Sequence, residues 1–362
     1  MTWSDIQLNH RKLICCLLVI AAYCCFASLP VCSAALPPAV NVRLVTDEPE
    51  AVLAILDKRK NNQQISEDDW RRLFQSEGYA RLKRRELGMK RSFEDADFKA
   101  FVLSDSLLER ASALAETLAS WKRADTANAA RLALAYLPKG ARISAKIYPE
   151  IKPRDNSFVY DIDTDPAIFL YLDPRMTKEQ FENHLAHEMH HIGYGTACPA
   201  RQTSNEIARA GKNVQTVLMW LGAFGEGFAV LAAAGGPDVH PHAVSPAEER
   251  ARWDKDMENF NGDLKKIEQF LLDVLESRLT GDDVEKTART FYGEQGPWYT
   301  VGWRMAVVIE KAYGRRKLID SMCDVRKLPL TYNLAAAKLN RRSANKLALW
   351  SESLVRRIKI DE

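Results

Sequence analysis

The spacing of apolar positions predicts helices in the part of the chain that follows an apolar leader at the N-terminus. Ser66 and Asp69 form the pattern of a capping box, and Trp70 and Leu73 follow them at helical spacing. Alanine-, leucine- and arginine-rich stretches continue this pattern until a proline and a glycine interrupt it near position 140. We therefore expect an N-terminal helical region over residues 36–140.

The period of the pattern then changes from helical to alternating. Ile143, Ala145 and Ile147 alternate with polar residues, and two further runs, 158–162 and 167–172, are rich in branched and aromatic side chains. Turn-forming residues separate the three runs. This pattern predicts a short three-stranded antiparallel meander.

A long helix is predicted directly after the meander. Thr177 and Gln180 form a second capping box, and the helix should run over residues 178–192 and stop at Gly193 or Gly195. The rest of the chain is predicted to be helical. The expected fold class is therefore α+β, predominantly helical, with a small antiparallel sheet packed beside this helix.

The first 35 residues carry the pattern of a secretory signal peptide. Arg11 and Lys12 precede an apolar run over residues 13–29, and small residues follow at 33–35. We expect residues 1–35 to be removed and the mature chain to be secreted or periplasmic. The alternative is an uncleaved membrane anchor, since the run approaches spanning length. We expect no later segment to be apolar enough to span a membrane.

Cysteine content and charge add little to this picture. Five of the seven cysteines lie in the leader, which leaves Cys198 and Cys323. In an exported protein these two form a disulfide or remain buried thiols, and both alternatives stay open. The formal net charge is +3, and basic residues lie among many acids, so we expect no nucleic-acid partner.

The candidate chemistry lies on the predicted helix, where residues 187–191 read His-Glu-Met-His-His. His187 and His191 are four positions apart and share one face, so their imidazoles can hold one metal ion. Glu188 is rotated by about a quarter turn and can reach a water on the metal without being a ligand. Zinc there would activate the water, and Glu188 would take its proton as general base. The alternative is a helix whose histidines are ordinary core or surface residues.

The third ligand decides the subclass of such a site. An extended histidine motif would need glycine and histidine at positions that hold Tyr194 and Ala197. A glutamate is the alternative, and the candidates are Glu206, in a polar stretch, and Glu226, between two glycines. We favour Glu226, because carboxylates in apolar surroundings are rarely buried without a partner. We also expect its flanking glycines to let the backbone pass close to the motif helix. The competing interpretation pairs Glu226 with an arginine such as Arg304.

The segment 220–229, which contains Glu226, resembles the glutamate-ligand segment of gluzincin peptidases, notably of the aminopeptidase branch. The gluzincin aminopeptidases also carry an upstream Gly-x-Met-Glu-Asn segment that grips the substrate amino terminus. Nothing like it occurs in residues 141–172, which argues against aminopeptidase activity.

The arrangement as a whole is more similar to a family of zinc-dependent peptidases labelled a domain of unknown function. The similarity rests on the predicted strand at 168–172, on the core of the motif helix at 185–191 and on a later segment at 299–306. It covers about positions 65–325. It implies a zinc-dependent peptidase with Zn²⁺ as cofactor and a peptide or protein as substrate.

Gluzincins often use a tyrosine or histidine beyond the third ligand to stabilise the oxyanion, and the resemblance makes Tyr299 the candidate. The equally favoured alternative is a tyrosine that anchors a helix start. Tyr292 and Tyr313 are weaker candidates. His240 and His242 are expected in a surface loop.

These observations predict a catalytic domain over residues 141–325 and a C-terminal helical segment over 326–362. The expected activity is peptide hydrolysis by a metal-activated water with Glu188 as general base. Two alternatives remain: a zinc hydrolase acting on a non-peptide bond, and a catalytically silent binding protein. The presence of Glu188 argues against the silent protein, which would have no need of this residue.

Overall fold

The computed structural model describes residues 39–198 and 207–359 of the chain. The predicted leader, residues 1–35, lies outside these ranges, and so does Glu206. Helices dominate the described residues, and one small sheet accompanies them. The expected fold class, predominantly helical α+β, is confirmed.

A short strand and six helices form the first part of the described chain. The capping box at the start of the second helix is present, because Ser66 accepts from the Asp69 amide and Asp69 accepts from the Ser66 amide. Trp70 and Leu73 of this helix are buried, as their spacing predicts. The elements are β1 (Val40–Leu44), α1 (Asp47–Lys60), α2 (Glu67–Phe74), α3 (Glu77–Gly88), α4 (Asp95–Val102), α5 (Asp105–Trp121) and α6 (Thr126–Leu134).

The sheet contains four strands in the order β1-β2-β4-β3, with β2 at Ile143–Glu150, β3 at Phe158–Tyr160 and β4 at Ala167–Tyr171. Strand β2 pairs in parallel with both β1 and β4, and β3 pairs antiparallel with β4. The predicted antiparallel meander is therefore wrong. Residues 151–157 connect β2 to β3 and are long enough to cross the width of one strand. This connection leaves room for β4 to lie between β2 and β3. Strand β1 was not predicted.

A pair of carboxyl groups is buried where α1, α3 and β2 meet. The side chains of Glu48 and Glu150 are fully buried, and Glu48 accepts a hydrogen bond from the Ile151 amide at 3.1 Å. Burial raises the pKa of both carboxyls well above the ordinary range, and the charge of Glu48 adds to the shift at Glu150. A Cβ at Gly78 would lie 2.9 Å from the Glu48 Cβ atom, so α3 can pack here only with glycine.

The long helix α7 spans Lys178–Ala197 and begins with the expected capping box of Thr177 and Gln180. It does not stop at Gly193 or Gly195, and that part of the prediction is wrong. A Cβ at Gly193 would lie 2.2 Å from the Leu137 Cδ1 atom. This glycine therefore serves close packing of the helix rather than its termination.

A disulfide joins the end of α7 to a later helix. Cys198 and Cys323 are bonded, with their Cα atoms 4.9 Å apart across a separation of 125 residues. The Tyr194 hydroxyl donates to the Met322 carbonyl at 2.7 Å beside this bond. The alternative of two free thiols is thus excluded, and the covalent link holds the last turn of α7 in place.

The remaining described elements are helical. Loop regions near positions 236 and 294 separate some of them. The helices are α8 (Lys212–Leu221), a 3-10 turn (Gly222–Phe224), α9 (Gly225–Ala234), α10 (Ala247–Glu258), α11 (Phe260–Leu275), α12 (Asp282–Thr290), α13 (Pro297–Tyr313), α14 (Arg315–Cys323), α15 (Leu328–Asn340) and α16 (Glu352–Arg357).

The stretch Lys212–Ala234, which joins α8 to α9, is long and apolar enough to cross a membrane by length and composition. The expectation that no segment beyond the leader meets these criteria is therefore wrong. The most apolar 18-residue window of this stretch has a mean hydropathy of 1.7, and 56% of that window is buried inside the protein. Burial of this kind is typical of a core helix. Phe228 and Leu231 on α9 are buried in the larger apolar core.

Candidate metal centre

Three helices bring the candidate residues together. Helix α7 carries His187, Glu188 and His191, α9 begins one residue before Glu226, and α13 carries Tyr299 in its first turn. Because the two histidines lie one helical turn apart, both imidazoles reach the same face of α7. Helix α9 packs against that face and supplies the carboxylate.

The ligand atoms of this group are close to one another. The Nε2 atoms of His187 and His191 are 3.0 Å apart, and each lies 3.2 Å from the Oε2 atom of Glu226. Ligand atoms that bind zinc tetrahedrally at about 2.0–2.1 Å lie about 3.3 Å from one another. The three side chains therefore fit a zinc ion if the distances between their ligand atoms change by roughly a few tenths of an ångström.

Within residues 39–198 and 207–359, His187, His191 and Glu226 are the group whose ligand atoms approach closely enough to hold a metal, all within 4.8 Å of one another. Glu206 lies outside the described ranges. Arg304 does not pair with Glu226 but lines a separate surface cleft. Glu226 instead faces the two histidines, as a third ligand would.

The electrostatics of the group follow from burial and from these contacts. Burial raises the pKa of the Glu226 carboxyl, but the hydrogen bonds of His187 and His191 outweigh burial and hold this pKa well below its ordinary range. Burial alone lowers the pKa of His191, whereas the hydrogen bond and the charge of Glu226 raise it above its ordinary value. The carboxylate is thus ionised, the form that binds a cation.

Glycines place α13 beside α9. A Cβ at Gly227 would lie 2.1 Å from the Trp303 amide nitrogen and 2.3 Å from the Tyr299 carbonyl oxygen. A Cβ at Gly302 would lie 2.7 Å from the Phe224 carbonyl oxygen. The expectation that the glycines beside Glu226 allow approach to α7 is therefore wrong: Gly227 allows backbone contact with α13.

Glu188 and Tyr299 line one cleft with His187, with a volume of about 790 Å³. The Tyr299 and His187 rings are nearly parallel, with centroids 6.4 Å apart. Burial raises the pKa of the Tyr299 hydroxyl well above its ordinary value, and the charges of Glu226 and Glu188 add to the shift. The hydroxyl stays protonated and is able to donate a hydrogen bond beside the metal group.

The other tyrosine candidates lie farther from the cleft. Tyr292 lies near Tyr299, with ring centroids 6.5 Å apart, and lines a second pocket beside Glu226. Tyr313 lies at the far end of α13, is 44% exposed and has the Lys338 ammonium over its ring. The geometry therefore brings Tyr299 to the centre and leaves Tyr313 outside it.

The remaining histidines have different surroundings. His184 lines the cleft one turn before His187, and His190 is buried with its ring 5.1 Å from that of Phe228. The His240 Nε2 atom forms a hydrogen bond with the Asp254 Oδ1 atom at 3.0 Å. His242 is buried and lines the cleft, although a surface loop was expected. No local pattern distinguishes it in the sequence, because the loop folds inward only against the packed helices.

One of the comparisons with known proteins gives a match. No curated protein and no solved structure shows significant similarity to the chain. A family model described as putative zinc dependent peptidase (DUF5700) matches residues 47–341, which include every member of the metal group. The match spans most of the 362 residues. The chain therefore belongs to this family of putative zinc dependent peptidases.

Proposed function

We propose that this protein is a zinc peptidase of the gluzincin type, with His187, His191 and Glu226 as metal ligands. The observation that carries the proposal is the convergence of one carboxylate oxygen and two imidazole nitrogens within 3.2 Å. Zinc bound there would supply Lewis acidity, which activates water and polarises a carbonyl group.

Glu188 is the proposed general base. It follows His187 on α7 and lines the same cleft, so its carboxylate faces the space where a substrate carbonyl would approach. It would take a proton from the attacking water and give it to the leaving amine. Tyr299 lines the cleft as well, and its hydroxyl would donate a hydrogen bond to the developing oxyanion.

The sheet supports a peptide as the substrate. Strand β3 is the antiparallel edge strand, and Ser157 immediately before it lines the cleft. An exposed strand edge offers backbone amides and carbonyls that an extended peptide can pair with. This arrangement favours a peptide over a small non-peptide ester or amide.

We also propose that the protein works outside the cytoplasm, either secreted or in a periplasm. The disulfide between Cys198 and Cys323 supports this compartment, because such bonds persist in oxidising environments. The leader pattern of residues 1–35 points the same way.

Metal analysis combined with a peptide library tests the proposed function. Protein purified without chelator should hold about one zinc per chain and should cleave library peptides in a chelator-sensitive manner. Glu188→Gln should keep the zinc and lose roughly a hundredfold or more in turnover. Glu179→Gln, on the exposed first turn of the same helix, is the matched control and should behave as wild type.

Absence of zinc would refute the metal centre. Zinc without cleavage of any peptide would point to the non-peptide hydrolase or to the silent binding protein. Near-normal turnover by Glu188→Gln would remove Glu188 from its role.

A further inference from the structure

A second pocket of about 320 Å³ borders the metal group. His191 and Glu226 line this pocket, whereas His187 and Glu188 line the larger cleft. The ligand atoms of His187, His191 and Glu226 converge on one point. A peptide whose carbonyl group reached that point would therefore have the cleft on one side and the pocket on the other. The pocket is therefore placed to receive a group next to the reacting bond.

The walls of the pocket are aromatic and apolar. Tyr194, Trp220 and Tyr292 line it, together with Met219. The Trp220 ring is stacked on Trp298, with an interplanar angle of 9°, so this wall is held in place. Met219 is 61% exposed, and it is the most exposed of the large apolar side chains in the described residues. Apolar walls and an exposed apolar rim suit an apolar occupant.

Two glycines keep the pocket open. Gly222 and Gly225 line it and lie in helical backbone, with φ angles of −61° and −52° that every residue type adopts. No described heavy atom beyond the neighbouring helical turn lies within 4 Å of the position that a Cβ would take at either glycine. Helical glycine is destabilising relative to alanine. Packing of the fold therefore does not account for these two glycines, in contrast to Gly227.

We propose that this pocket binds a large apolar or aromatic side chain of the peptide substrate, on the residue that supplies the scissile carbonyl. The inference rests on the proposed function. Glu188 hands its proton to the leaving amine and lines the cleft, so the amine side of the substrate occupies the cleft. The carbonyl side then faces His191, Glu226 and the pocket.

The expected preference follows from the area that such a side chain removes from water. A substrate that buries a leucine- or phenylalanine-sized side chain in the pocket should have a kcat/KM about ten- to a hundredfold higher than one with glycine at that position. Cleavage sites mapped by mass spectrometry on a peptide library should therefore show phenylalanine, leucine, tyrosine or methionine before the broken bond. A profile without any preference at that position would overturn the proposal.

Filling the pocket tests the assignment directly. Gly222→Val places two methyl groups in the pocket and should shift the preference to glycine and alanine by about tenfold or more. Gly222→Ala should have an intermediate effect and is the safer variant for folding. Gly262→Val is the matched control, because Gly262 is an exposed glycine of helix α11 that also has open space around it. An unchanged profile in both Gly222 variants, with zinc content intact, would overturn the proposal.

A binding measurement separates this inference from the proposed function. In zinc-loaded Glu188→Gln protein, N-acetyl-phenylalanine should bind about tenfold more tightly than N-acetyl-glycine, as measured by calorimetry, and Gly222→Val should remove the difference. If no peptide is cleaved but this difference is found, the peptidase proposal fails, whereas the selectivity of the pocket for apolar side chains stands. If peptides are cleaved and the two compounds bind equally, the pocket proposal fails alone.

Discussion

The Nε2 atom of His187 and the Oε2 atom of Glu226 lie 3.2 Å apart, although 39 positions separate the two residues in the chain. The Nε2 atom of His191 lies at the same distance from that oxygen. A single carboxylate oxygen thus faces both imidazoles across the interface of α7 and α9. This relationship makes Glu226, rather than Glu206 in its polar stretch of sequence, the third ligand to test.

Replacement of Glu226 by alanine should leave two histidines on the metal and lower zinc affinity by roughly a hundredfold or more. Glu206→Ala is the comparison variant and should bind zinc nearly as well as wild type. Competition titration with a zinc chelator measures both affinities, and circular dichroism checks that both variants are folded. The reverse order of affinities would assign the third ligand to Glu206.

Removal of the Tyr299 hydroxyl should slow the reaction without releasing the metal. In Tyr299→Phe we expect kcat to fall by roughly a hundredfold with little change in KM, because an oxyanion donor acts mainly in the transition state. Tyr313→Phe, on the exposed end of the same helix, should retain wild-type kcat. Equal kcat values for Tyr299→Phe and wild type would leave Tyr299 with only the role of anchoring the helix start.

The substitution Gly227→Ala should destabilise the fold. The new Cβ would overlap the backbone of Tyr299 and Trp303, so α9 and α13 must separate, at a cost of about 3 kcal/mol in the free energy of unfolding. Gly225→Ala, two residues earlier, meets open space and should be neutral or slightly stabilising. Urea unfolding of both variants measures the difference. Similar stabilities would contradict the close backbone contact.

The buried carboxyls Glu48 and Glu150 should make stability fall as pH rises. Their folded-state pKa values lie well above the ordinary value of 4.5, so above this pH the unfolded chain has lost protons that the folded protein still holds. Stability contributed by the protonated groups is therefore complete below about pH 4.5 and is lost as pH rises through the folded-state pKa values. Glu150→Gln removes one of these groups and should flatten the decline.

Urea unfolding at several pH values between 5 and 8 tests this dependence. Relative to wild type, Glu150→Gln should gain stability as pH increases, by at most about 1.4 kcal/mol per pH unit. Glu109→Gln changes an exposed glutamate and should run parallel to wild type throughout. A Glu150→Gln curve that also runs parallel to wild type would show that the pair does not retain protons.

Local features of this protein followed from the sequence. The capping boxes at Ser66 and Thr177 and the shared face of His187 and His191 depend on residues within a turn or two of each other. Side-chain to backbone hydrogen bonds and the helical period determine such features before any distant contact forms. The predominantly helical α+β class followed from the same short-range periodicity.

Tertiary structure alone decided the features that join distant segments. The sheet is one example, because strand β1 and the parallel pairing of β2 with β4 depend on a connection that crosses the sheet. The disulfide is another, because it depends on the approach of Cys198 to Cys323. Which glutamate faces the histidines depends on how α9 packs, and Gly227 sets that packing through α13 rather than α7. Periodicity within one segment carries no information about which face of another segment it will meet, because burial of both apolar faces together selects that partner.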